Sequence, residues 1–158
     1  VLKTQGQASQ VQNPSTFRFA FLYARLALAA TFLSALSVRF GIGDPATASE
    51  SFAEFIQYTA KVNSFLPESF SPFLAWTATI LEIIFALALI IGVRVRLFAF
   101  LSAGLIAMFG LAMAISLGIQ PPLNYSVFSA SSAALLLGLF MPQNQPDEAK
   151  VEHQASQW

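Results

Sequence analysis

Charge is what this sequence has least of. Charged side chains make up 10% of its 158 residues, against the roughly 25% usual in a soluble domain. From Leu97 to Pro146 there is no Asp, Glu, Lys, Arg or His at all. That stretch is long enough for two membrane spans and a short turn. Cysteine is absent, which excludes structural disulfides, thiolate metal sites and thiol–disulfide chemistry by this chain alone. The only histidine is His153, in a polar stretch. An intramembrane haem would therefore need an uncommon ligand such as Met108 or Met113, and neither a metal site nor a catalytic residue is assigned. The formal net charge of zero gives no reason to expect nucleic acid or an acidic partner.

What the chain has in abundance is apolar surface, with 56% hydrophobic residues. The expected fold is an all-α membrane protein, a four-transmembrane-helix bundle with a short amphipathic helix between spans 1 and 2. Residues 1–16 are polar and glutamine-rich, lack the apolar core of a signal peptide, and read as a tail. The membrane domain covers 17–141, with spans at about 17–40, 72–93, 97–117 and 123–141, and 142–158 form a second polar tail. Gly41, Gly43 and Asp44-Pro45 end the first span. Thr47-Ala-Ser-Glu50 fits a capping box, after which Phe52, Phe55, Ile56, Thr59 and Val62 recur at helical spacing. This helix is too short and too charged to span. The simpler placement lays it on the membrane surface with its phenylalanines down; the alternative folds it over the bundle mouth as a lid. On the third span, Ala103, Ala107, Gly110 and Ala114 form a small-residue face for close helix packing. Four spans put both termini on one side with Lys3, Arg18, Arg94, Arg96 and Lys150, against Arg39 and Lys61 on the other, so the termini are expected in the cytoplasm.

Two ionisable residues fall inside spans. Glu82 lies near the centre of the second, where an unpartnered acid costs several kcal/mol. Arg25 lies about 12 Å inside the first, counted from Phe17 at 1.5 Å per residue. The economical expectation is a buried Arg25–Glu82 ion pair, each charge offsetting the desolvation of the other. Snorkelling of Arg25 to the near interface is the alternative. Toward the outer side, Arg39, Trp76, Thr79, Asn124, Tyr125 and Ser129 can line a polar pocket able to hold a quinone head group through its carbonyls. The serines serve equally well as glue between helices.

Several segments in order, Arg25-Leu-Ala-Leu-Ala-Ala-Thr-Phe-Leu-Ser-Ala, Arg39-Phe-Gly41, Ala78-Thr-Ile-Leu-Glu82, Gly92-Val-Arg-Val-Arg96 and Pro122-Leu-Asn-Tyr-Ser-Val-Phe-Ser129, resemble the DoxX-like family of small four-helix bacterial membrane proteins. The resemblance covers nearly all of Phe17 to Met141. In such sequences an acid often precedes the arginine corresponding to Arg39; here that place is Val38, which weakens a charge-pair reading at the outer mouth. The resemblance implies a four-helix bundle. It also implies a functionally mixed group, some of whose members look like subunits of quinone-linked oxidoreductases such as thiosulfate:quinone oxidoreductase. It supplies no catalytic residues.

The leading expectation is thus an accessory, quinone-interacting subunit of a larger oxidoreductase complex in the bacterial inner membrane. Its partners would be the lipid bilayer and other membrane subunits, whose cofactors carry the electrons. A purely structural subunit is the alternative. A small-solute or proton carrier built on Glu82 ranks below both, because the four spans show no evident repeat or broken helix.

Overall fold

The computed structural model describes residues 14–42 and 48–141. Residues 1–13 and 142–158, with His153, and Gly43, Asp44-Pro45 and the Thr47–Glu50 capping pattern lie outside the residues or side chains described, while residues 14–16, expected in the first tail, are helical. The elements are α1 (Pro14–Arg39), α2 (Ala48–Val62), a single 3-10 turn (Glu68–Phe70), α3 (Ser71–Ile91), α4 (Val95–Leu117), α5 (Gln120–Asn124) and α6 (Val127–Phe140). No strand occurs among the described residues. Thr16–Arg39, Glu68–Ile91 and Val95–Leu117 are each long and apolar enough to cross a membrane, and α6 is a shorter apolar helix. The chain is a multi-pass membrane protein, a bundle of α1, α3, α4 and α6 with the amphipathic α2 between the first two spans.

The breaks between helices follow from residues that leave the right-handed region. Gly92, at φ 89°, ends α3, with the amides of Gly92 and Val93 both donating to the Ala88 carbonyl at 2.9 and 3.1 Å. A positive φ there favours glycine, which has no Cβ to clash with the carbonyl. Arg94 follows at φ 43° and starts α4. The fourth span differs from the single helix expected over 123–141. Pro121 and Pro122 open the short α5, Tyr125 and Ser126 close it by donating to the carbonyls of Pro121 and Leu123, and Ser126, at φ 53°, resets the direction before α6. Asn124 and Tyr125 therefore belong to a short helix and its connection, not to the span itself.

The core lies where α1, α3, α4 and α6 meet, around Ala29, Phe32, Phe85, Leu89, Ala99 and Leu137. The most extensive helix contact is that of α4 with α6, and small residues make it possible. A Cβ on Gly110 would meet the Phe128 ring at 3.0 Å and Val127 at 3.1 Å, and one on Gly138 would meet Phe100 at 3.2 Å. Ser131 Oγ donates across this contact to the Ala103 carbonyl at 2.8 Å. Ala103 is buried, while Ala107 and Ala114 are half-buried. Away from the core, Phe73, Ile80, Leu87 and Ile91 on α3, Met108 and Ile115 on α4, and Leu136 and Leu139 on α6 are exposed. So continuous an apolar exterior needs hydrocarbon as its solvent.

The position of α2 corrects the membrane-surface placement. Its phenylalanines do not turn toward lipid. Phe52 packs on Trp76 of α3 with centroids 4.6 Å apart and stacks on Phe40 at 6.1 Å, and Phe55 lies beneath the Arg39 guanidinium. At the far end of α2, Ser116 of α4 donates to the Val62 carbonyl at 2.6 Å, and Thr59 and Val62 are buried. These contacts serve Arg39 of α1 and Ser116 of α4, polar groups that lipid cannot partner, and α2 is the lid.

Candidate functional site: a buried charge pair under an aromatic roof

The acid at the centre of α3 does have a partner, but not the one expected. Arg39, the last residue of α1, meets Glu82 bidentately, Nη1 donating to Oε2 at 2.5 Å and Nη2 to Oε1 at 3.1 Å. Nη1 also donates to Thr79 Oγ1 at 3.2 Å, and that hydroxyl donates in turn to the Ala75 carbonyl at 2.8 Å. Only 10% of the Arg39 side chain and 3% of the Glu82 side chain is exposed. The expected Arg25–Glu82 pair is not formed.

The error lies in depth, not in face. Ala29, Phe32, Leu36 and Arg39 are all buried and recur at helical spacing. Arg25, one turn before Ala29, falls on the same stripe. On α3 the matching stripe runs Ala75, Thr79, Glu82, Ala86 and Leu89, all buried. Counting inward from the ends of the hydrophobic runs made Arg25 and Glu82 level. The helices are instead offset. Phe32 packs edge-on against Phe85, Arg25 lies against Gly92 beyond the end of α3, and Arg39 reaches back toward the middle of α3. Val38, which replaced the expected local acid, is exposed; the acid that serves Arg39 comes from another helix.

Sequence reasoning missed the roof over this pair. The Phe55 ring centroid lies 3.7 Å from Arg39 Cζ, a cation–π contact that strengthens as water is excluded. Phe52 joins Phe55, Phe40 and Trp76 into one aromatic patch, with Trp76 half exposed at its edge. The helical spacing of Phe52 and Phe55 was the available signal. It marked an apolar face but not what that face covers. A guanidinium carries five N–H donors, and the bonds described use only part of that capacity.

Of the expected pocket residues, Arg39 and Thr79 gather at Glu82, and Trp76 connects to them only through Phe52 and Phe55. Asn124, Tyr125 and Ser129 do not gather there. All three are exposed, and none exchanges a hydrogen bond with Arg39, Thr79 or Glu82. Asn124 accepts from Gln120 Nε2 at 3.4 Å, and the Ser129 carbonyl accepts from Ser132 Oγ at 2.8 Å, so these groups serve their own helices. Tyr125 sits near Tyr58 of α2. Burial pushes the Tyr58 phenol above its ordinary range, and the neighbouring Tyr125 phenol adds to that rise.

The DoxX family model matches residues 20–117. The chain belongs to the DoxX family. The match takes in α1, the lid, α3 and α4, and therefore the whole Arg39–Glu82 site, and it ends where α4 ends. No curated protein and no solved structure matched the chain.

Proposed function

We propose that this DoxX-family protein is an accessory, quinone-interacting subunit of a larger membrane oxidoreductase, and that the quinone site is the mouth beneath α2. The observation that carries this reading is a charge pair set in the bundle and roofed by aromatic rings, with Trp76 open at the edge. A quinone ring is flat and apolar with two carbonyl acceptors. Rings at the mouth match its faces, and an arginine held rigid by Glu82 matches a carbonyl. The electrons would come from cofactors on partner subunits. In this reading the basic end, with Arg18, Arg94 and Arg96, faces the cytoplasm of a bacterial inner membrane, and the mouth faces outward.

A structural reading has its own support, because Arg39 and Glu82 satisfy one another and tie α1 to α3 without any ligand. One experiment separates the two. The tagged chain is purified from gently solubilised native membranes, and co-purifying subunits, bound quinone and quinone-reduction rate are measured for wild type, Glu82→Gln and Trp76→Leu. The proposal expects flavin, haem or iron–sulfur subunits in stable ratio, and, with assembly intact, roughly tenfold lower turnover in Glu82→Gln, the loss of about one charge-assisted hydrogen bond, with a smaller loss in Trp76→Leu, which removes a ring face. Unchanged turnover in both variants would leave only the structural reading standing.

A further inference from the structure

The opposite end of the bundle holds another arginine on the buried stripe of α1, and this one has no ion-pair partner among the described residues. Arg25 is half-buried against the α3–α4 turn. A Cβ built on Gly92 would stand 2.7 Å from Arg25 Nη1, 3.5 Å from Cζ and 3.8 Å from Nη2. The guanidinium thus occupies the space that any side chain at position 92 would fill. Its Nε is sealed from solvent with no hydrogen-bond partner, and Arg25 forms no ion pair among the described residues. A guanidinium partly stripped of water, with one donor orphaned, is costly unless an anion meets its open edge.

The surroundings point to the kind of anion. Arg94, in the turn after Gly92, and Arg96, in the first turn of α4 with its guanidinium 5.9 Å from the Phe100 ring, are both exposed, and Arg18 lies two turns earlier on α1. Among the described acids, Glu54 and Glu68 belong to α2 and the 3-10 turn at the other end, and Glu82 is held by Arg39. Leu22 and Leu26 beside Arg25 in sequence, and Ile91, Val93 and Leu97 beside Gly92, are exposed apolar residues. A basic helix end is therefore flanked by exposed apolar side chains.

We propose that Arg25, with Arg94 and Arg96, binds the phosphate of an anionic phospholipid in the leaflet at this end, its acyl chains lying along Leu26 and Ile91. The open Nη1/Nη2 edge forks two phosphate oxygens as a planar guanidinium does and an ammonium does not. Arg94 and Arg96 add charge from the α3–α4 turn and the start of α4, and the amides of the α4 N-terminus, which has no side-chain cap, favour the same sign of ligand. Gly92 is the residue that leaves room for the arrangement. This site is independent of the quinone reading.

The test uses the full chain in detergent micelles, scored by native mass spectrometry for retention of phosphatidylglycerol against phosphatidylcholine of identical acyl chains. Wild type is expected to retain the anionic lipid preferentially. Neutralising each arginine should reduce that preference by roughly fivefold, with Arg25→Gln largest and Arg25→Lys intermediate because it keeps the charge but loses the fork. If Arg25→Gln fails to fold, the exposed double variant Arg94→Gln/Arg96→Gln carries the test. Equal retention of the two lipids by wild type, or a preference unchanged in the variants, overturns the site. Displacement of the lipid by millimolar inorganic phosphate overturns the lipid as its source and leaves a soluble anion; no displacement supports the lipid.

Discussion

Arg39 and Arg25 lie on the same face of α1, about 21 Å apart at helical rise, and they meet opposite conditions. Arg39 is enclosed. Two carboxylate oxygens, a hydroxyl and a phenylalanine face attend to it within the protein. Arg25 is left with a glycine-shaped gap and an orphaned Nε. A charge in a membrane protein is tolerated either because the fold completes its environment or because something outside does. Here one helix carries an example of each. The difference is made by what stands opposite on α3, a glutamate in one case and the end of the helix in the other.

The comparison breaks most visibly at the enclosed end. Replacing Arg39 by Met, or Glu82 by Leu, leaves a buried charge alone and should destabilise the protein by roughly 3–5 kcal/mol, whereas the double variant Arg39→Met/Glu82→Leu should come close to wild type. Reversible unfolding in mixed micelles measures all three, and a double variant as unstable as the singles would show that the pair is not an isolated unit. Next in size is Gly110→Leu, which overpacks the α4–α6 contact against Phe128 and should cost roughly 1–3 kcal/mol with no effect on lipid preference. Gly92→Ala should cost about 1–2 kcal/mol for its positive φ, and more where the new methyl meets Arg25. Combining it with Arg25→Ala should recover only the second part, so full recovery would mean that strain at residue 92 is unimportant. The smallest effect is expected for Ser116→Ala, which removes the bond to the Val62 carbonyl and should loosen the lid by roughly 0.5–1.5 kcal/mol. Hydrogen exchange should quicken in α2 and not in α3.

Much of this was legible in the sequence. Run length and missing charge located the spans, because the thickness of a bilayer imposes a minimum length on any helix that crosses it. Helical spacing identified α2 as amphipathic, and Glu82 as a residue in need of a partner. The identity of that partner was not legible. Arg25 and Arg39 share one stripe, so periodicity could not choose between them, and the offset between α1 and α3 is decided by side chains such as Phe32 and Phe85 that look alike in sequence. The destination of α2 was hidden for a similar reason, since lipid and the underside of a roof both ask for phenylalanine. The break at Tyr125–Ser126 had only Pro121 and Pro122 as forerunners, and a serine at positive φ leaves no mark in composition.

The shortness of α6 has a consequence for the membrane itself. Its 14 residues rise about 21 Å, while the 21 residues of α3 rise about 32 Å, close to the thickness of a bilayer core. One side of the bundle therefore matches the hydrocarbon and the other falls short of it. Lipids beside α6 must thin or tilt to meet the protein, at a cost of fractions of a kcal/mol per Å of hydrophobic mismatch. That elastic cost disappears when a second apolar helix covers the face, and it is lower in thinner bilayers. The α6 side is thus where the membrane gains most from having its place taken by another protein.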